Sequence, residues 1–124
     1  TSVDVEKLSI STKDKEFMNK LYEEIDFHLS EAEFTIDNLA QTMFMSRSSF
    51  YRKIKSITGM SPSEFLMKVR LNKAAEMLLQ NDYIIKEVYE QIGFNSSSYF
   101  AKCFKEQFGM LPKDYQENKG QPPH

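Results

Sequence analysis

Two stretches decide the fold: SRSSFYRKIKSITGMSPSEF, residues 46–65, and SSSYFAKCFKEQFGMLPKDY, residues 96–115. Laid over each other at an offset of 50, they match at Ser46, Ser48, Phe50, Lys55, Gly59, Met60 and Pro62, with the aromatic Phe65 facing Tyr115. These matches cover a helix cap, a core, a helix stop and the proline after it, so they read as a duplication. Upstream the offset falls to 49, with Ile36 facing Ile85 and Leu39 facing Val88. The second copy therefore carries one extra residue in its turn, near Gly93. Each copy reads short helix, tight turn, longer helix, which is the helix-turn-helix pattern.

Working outward, Thr35 caps a short helix with Ile36, Leu39, Ala40 and Met43, Phe44 and Met45 fill the turn, and Ser46 caps a helix that Gly59 ends. In the second copy a short apolar helix breaks at Gly93, Asn95 or Ser96 caps the next, Gly109 closes it, and Pro112 opens a last short helix. Between the copies lies SPSEFLMKVRLNKAAEMLLQ, residues 61–80. Ser61 can cap it, Pro62 loses nothing at its first position, and Glu64 completes a capping box. Phe65, Leu66, Val69, Leu71, Ala74, Ala75, Met77 and Leu78 recur at helical spacing, over about 28 Å of helix. Before the first copy, Ser11 or Thr12 caps a helix with Phe17, Leu21, Tyr22, Ile25 and Leu29 inward and Asp14, Glu16, Glu23, Glu24 and Asp26 outward.

The expectation is an all-α fold of about seven helices, two helix-turn-helix subdomains joined by a long central helix. Its parts are a linker or arm at 1–11, an N-terminal helical segment with the first helix-turn-helix at 12–60, and the connecting helix at 61–80. A second helix-turn-helix with a final short helix follows at 81–117, and NKGQPPH at 118–124 reads as a disordered tail. The first residue is Thr1 rather than Met, which suggests a piece of something longer.

A chain of 124 residues, 40% hydrophobic and 27% charged, makes one ordinary globular domain, and its single cysteine excludes an internal disulfide. No apolar run reaches the roughly 18 residues a membrane span needs, and no signal peptide opens the chain. These features point to a reducing, cytoplasmic setting. The net charge of −2 looks wrong for a nucleic-acid binder, but it is unevenly spread. Residues 1–37 carry four Lys against ten acids, residues 38–75 carry seven Lys or Arg against Glu64 alone, and residues 76–124 return to −2. An acidic start joined to a basic middle suits a one-faced phosphate-binding surface. Charge alone also fits solvated helix faces, so the side-chain pattern has to decide.

Between Asn38 and Ser63 there is no acidic residue. Arg47 and Ser48 lie in the first turn of the helix over 46–58, with Tyr51, Arg52 and Lys55 on the following turns, while Phe50, Ile54 and Ile57 take the opposite face. A helix with a polar N-terminal face of this kind fits a DNA major groove, where Arg chelates guanine and hydroxyls bond base edges or phosphates. The helix over 96–108 offers Ser96, Ser97, Ser98, Lys102 and Lys105 outward against Phe100, Cys103, Phe104 and Phe108. One serine must cap, so Ser96 serves a structural role as readily as a reading one. Cys103 reads as a small buried hydrophobe, His28 as a helix-end residue, and the methionines as gap fillers. An enzyme needs a convergent acid, base, nucleophile or metal cluster, and two His with one Cys supply none, so neither catalytic nor metal residues nor a cofactor is expected. A helical protein-interaction module is the rival class, but it has no need for two capped turns followed by polar helix faces.

From about Asp14 to Gln116 the chain resembles the AraC/XylS-type helix-turn-helix DNA-binding domain. The residues that carry the resemblance are LAQTMFMSRSSFYRKIKSITGMSPSEF, VRLNKAAEMLL and VYEQIGFNSSSYFAKCFKEQFGMLPKDY, with the Gly93–Phe94 pair and the G-x-x-P-x-x-Y run ending at Tyr115 most specific. The Arg52–Lys53 pair after Tyr51, and an acidic helix following a linker, look most like the versions that end hybrid two-component regulators. The resemblance implies a transcription-regulator domain whose partner is double-stranded DNA, with both longer helices entering successive major-groove segments about 34 Å apart. Its contact positions fall on Ser48, Tyr51 and Arg52 in the first unit and on Ser97, Ser98 and Lys102 in the second. Arg47, Lys55 and Lys105 join them as phosphate contacts by the charge argument. The resemblance leaves room for histidine kinase activity, a membrane anchor and a homodimer interface in parts of a longer protein. Two departures stand out: Tyr89 replaces the usual alanine, which alters packing, and the second reader lacks arginine, which weakens its base discrimination.

Overall fold

The computed structural model describes residues 11–80 and 83–121, all of its regular structure being helical. The elements are α1 (Thr12–His28), α2 (Ile36–Thr42), α3 (Arg47–Thr58), α4 (Pro62–Leu78), α5 (Ile85–Gln91), α6 (Ser97–Phe108) and α7 (Pro112–Glu117). The chain forms two compact units, one of residues 1–28 and 34–66, the other of residues 29–33 and 67–124. The division falls inside α4 rather than at its ends. The connecting helix is shared, its first turn packing with the first unit and the rest with the second.

In the first unit Ser11 Oγ accepts from the Asp14 N–H and starts α1, which buries Met18, Leu21 and Ile25. Asp14, expected outward, instead turns inward to Lys53 Nζ at 2.7 Å. The Tyr22 ring lies 5.7 Å from Phe65, and burial raises its phenol above the usual pKa. His28 stacks on Phe34 with ring centroids 4.1 Å apart. Thr35 and Asn38 cap α2 reciprocally, each side chain taking the other's backbone N–H. Ser61 Oγ accepts from the Glu64 N–H and donates to the Glu64 carboxylate, so the start of α4 is fixed by its own side chains.

The second unit is built around Phe100 and Phe104, both fully buried. Phe94, Tyr89 and Tyr115 surround them, with ring centroids 5.2 to 5.9 Å away. Tyr89 thus packs its ring on Phe100, which is how the space usually left by an alanine is used. Gln107 joins α6 to α4 through the Asn72 amide oxygen at 2.8 Å, and Gln116 donates to the Tyr83 carbonyl at 2.8 Å.

Other details depart from expectation. Phe44 lies in its turn as expected, at φ 57, but its ring packs nothing there, being 90% exposed. Residues 118–121 are not unstructured. The Gly120 N–H bonds the Tyr115 carbonyl and the Lys119 N–H that of Gln116, a Schellman close to α7 with Lys119 left-handed at φ 52. Residues 122–124 of the expected tail, and 1–10 of the expected arm, lie outside the described residues. Arg70 of α4 is buried among backbone carbonyls. Lys73 pairs with Glu76 on its own helix at 3.8 Å.

Candidate nucleic-acid interface

Both helix-turn-helix units reach their longer helix through the same turn. After α2 the Met45 N–H bonds the Ala40 carbonyl and the Phe44 N–H that of Gln41; after α5 Phe94 bonds Tyr89 and Gly93 bonds Glu90. This is a Schellman close in each case, with Phe44 and Gly93 at the left-handed position. The two turns make the same bonds residue for residue at the offset of 49, so the extra residue of the second copy is Asn95, one place after Phe94. A serine then caps each long helix: Ser46 Oγ accepts from the Ser49 N–H at 3.3 Å, and Ser96 Oγ from the Tyr99 N–H at 3.2 Å. Each helix stops at a left-handed glycine, Gly59 or Gly109.

Helix α3 is pinned by Phe50 and Ile54, both fully buried, with Phe50 6.3 Å from the Phe17 ring. The opposite face is solvent-exposed and carries Arg47, Ser48, Tyr51, Arg52, Lys55 and Ser56. Arg52 is exposed and engages no partner among the described residues. Arg47 Nε lies 3.3 Å from Asp37 Oδ1, an exposed pair of little strength that ties the start of α3 to α2. Lys55 Nζ donates to the Gly59 carbonyl at 3.0 Å, closing its own helix. Lys53, equally basic in sequence, is turned away, paired with Asp14 and lying over the Phe17 ring. Without knowing that α1 packs against α3, nothing in the sequence separates Lys53 from its neighbours.

Helix α6 repeats the design with less charge. Ser97, Ser98, Lys102 and Lys105 are exposed on one face, opposite buried Phe100, Cys103 and Phe104. Ser96 is the cap, so of the three serines it is the structural one, and its hydroxyl lies 3.2 Å from that of Ser98. Two exposed residues beside this face were not singled out from sequence. Tyr99 rests its ring on Phe94 at 5.7 Å, and the neighbouring Cys103 thiol raises its phenol pKa, leaving a neutral hydroxyl at physiological pH. Glu106 lies one turn beyond Lys102 and reduces the positive field there. Among the described residues no group of three or more His, Cys, Asp or Glu is placed to hold a metal ion.

Two capped turns, each presenting a polar helix face backed by an aromatic core, define a tandem helix-turn-helix module. Comparison with known proteins agrees. A model of the helix-turn-helix domain matches residues 39–118, and one of the Mga helix-turn-helix domain matches residues 8–61. The chain belongs to the AraC-type helix-turn-helix family, whose business is DNA-binding transcription regulation. It is 32% identical to histidine kinase P4 of Formosa agariphila over 110 residues, 89% of this chain and 8% of that protein. It is 36% identical to the transcriptional regulator MtrA of Neisseria gonorrhoeae over 91 residues, 73% of this chain and 30% of that one. The chain therefore spans less than a third of these relatives. Among solved structures it resembles the DNA-binding domain of AdpA, a global transcriptional factor solved with a target DNA, with TM-score 0.73, 31% identity, and coverage of 82% of this chain and 90% of that one.

Proposed function

We propose that α3 and α6 each enter a major-groove segment on one face of the duplex, about one helical turn apart, and that α3 supplies most of the base discrimination. The observation that carries this reading is the exposed face of α3, where Arg47, Ser48, Tyr51, Arg52 and Lys55 stand together and Asp37 is held by Arg47. Arg52 is the base reader, with Ser48 and Tyr51 beside it. Arg47, Lys55 and Lys105 take phosphates, Arg47 and Lys55 exchanging their present contacts for them. Ser97, Ser98 and Lys102 are the contacts of α6, and without arginine they read less.

The likeness to a histidine kinase supports a wider setting, in which this chain is the DNA-binding output of a two-component regulator. In that setting kinase activity and dimerisation belong to other parts of the whole protein, and this domain works in the cytoplasm. No helix among the described residues is long and apolar enough to cross a membrane. The negative net charge supports dimerisation, because one copy gains little non-specific attraction.

Selecting bound sequences from a random duplex pool tests the reading. The expected result is two preferred blocks about 10 base pairs apart, with Arg52→Ala losing preference in one block and keeping the other. No enrichment, or preference unchanged by Arg52→Ala, would overturn it.

A further inference from the structure

The two units share a turn but not what supports it. Arg70, in the middle of α4, is the one buried charged side chain among the described residues, at 7% exposure. Its Nη1 donates to the Ile92 carbonyl at 3.1 Å and to that of Gly93 at 3.2 Å, and its Nη2 reaches the Glu31 carbonyl at 3.4 Å. Its Nε has no hydrogen-bond partner. Ile92 and Gly93 form the turn between α5 and α6, while Glu31 belongs to the short segment 29–33 that folds with the second unit. Gly93 gives the guanidinium its space, since a Cβ there would overlap both Arg70 and the Leu29 carbonyl. At the matching place in the first unit, Phe44 is exposed, and no such clamp is found among the described residues.

A buried guanidinium is costly to keep, and burial lowers its pKa. A helix that needed only packing at this place would do as well with an apolar side chain. A planar fork bonded to carbonyls of two separate segments fixes orientation as well as distance. We infer that Arg70 is the positioning residue of the second reader: it locks the α5–α6 turn against α4 and segment 29–33, and so sets where Ser97 and Ser98 are presented. The inference rests on the reading that α6 enters the groove. Arg70 itself touches no DNA in this scheme.

The test uses the duplex selected above and a second duplex in which the block insensitive to Arg52→Ala is scrambled. Wild-type protein should prefer the intact duplex by roughly tenfold or more, as one lost recognition block implies. Arg70→Gln should bring that ratio close to one while leaving affinity for the scrambled duplex unchanged, and Arg70→Lys, which keeps the charge but not the fork, should fall between. Amide exchange should speed up at residues 92–98 and stay unchanged at 43–48. An Arg70→Gln variant that weakens both duplexes alike, or neither, overturns the inference. If that variant loses its helical circular dichroism, Arg70→Lys decides alone, and an unchanged ratio overturns it. A wild-type ratio of one would instead remove the groove reading of α6, and this inference with it.

Discussion

Phe44 pays no stabilising dividend. It holds a left-handed backbone conformation, at about 1 to 2 kcal/mol for a residue with a Cβ, and being 90% exposed it buries almost nothing in return. Gly93, its counterpart, takes the same conformation without strain. Phe44→Gly should therefore stabilise the chain. Relief of the strain outweighs the extra freedom glycine gives the unfolded state, about 0.4 to 1 kcal/mol, leaving a net gain of about 0.5 to 1 kcal/mol. Urea unfolding followed by circular dichroism checks this, and a lowered midpoint would mean that the Phe44 ring makes contacts its exposure conceals. Arg70 is the opposite case, a residue whose sequence neighbours Lys68 and Lys73 give no hint that it alone is buried. Only the approach of the α5–α6 turn and segment 29–33 decides that, and both are distant in sequence.

At the scale of the elements, caps and stops were legible because they act over three or four residues. Ser46, Ser61 and Ser96 all bond the N–H expected of them, and Gly59 and Gly109 both end their helices left-handed. The tail was less so: its Schellman close uses Lys119, a residue type that gives no such signal. Contacts between helices were not legible at all, and Lys53 shows why, since its pairing with Asp14 depends on how α1 lies on α3. The serines that open α6 allow a clean division of roles. Ser96→Ala removes the cap and should cost about 1 kcal/mol of stability. Ser97→Ala touches no internal bond and should stay within about 0.5 kcal/mol, while weakening DNA binding if Ser97 is a contact. Thermal unfolding and a binding titration on the same two proteins separate the effects. A Ser97→Ala protein as destabilised as Ser96→Ala would show that the helix start is shared between them.

For the molecule as a whole, a net charge of −2 and a DNA-binding role are compatible only because the charges are sorted. The acids of α1 are partly absorbed within the fold, Asp14 by Lys53 and Glu24 by Lys20. The cations left on the exposed faces of α3 and α6 are Arg47, Arg52, Lys55, Lys102 and Lys105. The three assigned to phosphates, Arg47, Lys55 and Lys105, set a slope of log affinity against log salt of about −2.7 by counterion release, at about 0.9 per phosphate, and the limit is about −4.5 where Arg52 and Lys102 neutralise phosphates as well. Arg47 must first leave Asp37, and Lys55 must leave the Gly59 carbonyl or share a proton with it. Both present contacts are exposed and weak, worth about 0 to 1 kcal/mol for the ion pair, so a phosphate at full charge should displace them. The expected slope therefore lies between about −2.7 and −4.5, measured by fluorescence anisotropy from low to physiological salt. Asp37→Asn should leave the slope at its limit and raise affinity, because Arg47 then starts free. A slope near zero would deny phosphate contacts altogether. A slope about 0.9 shallower than that of Asp37→Asn would mean that Arg47 stays with its carboxylate when the domain binds.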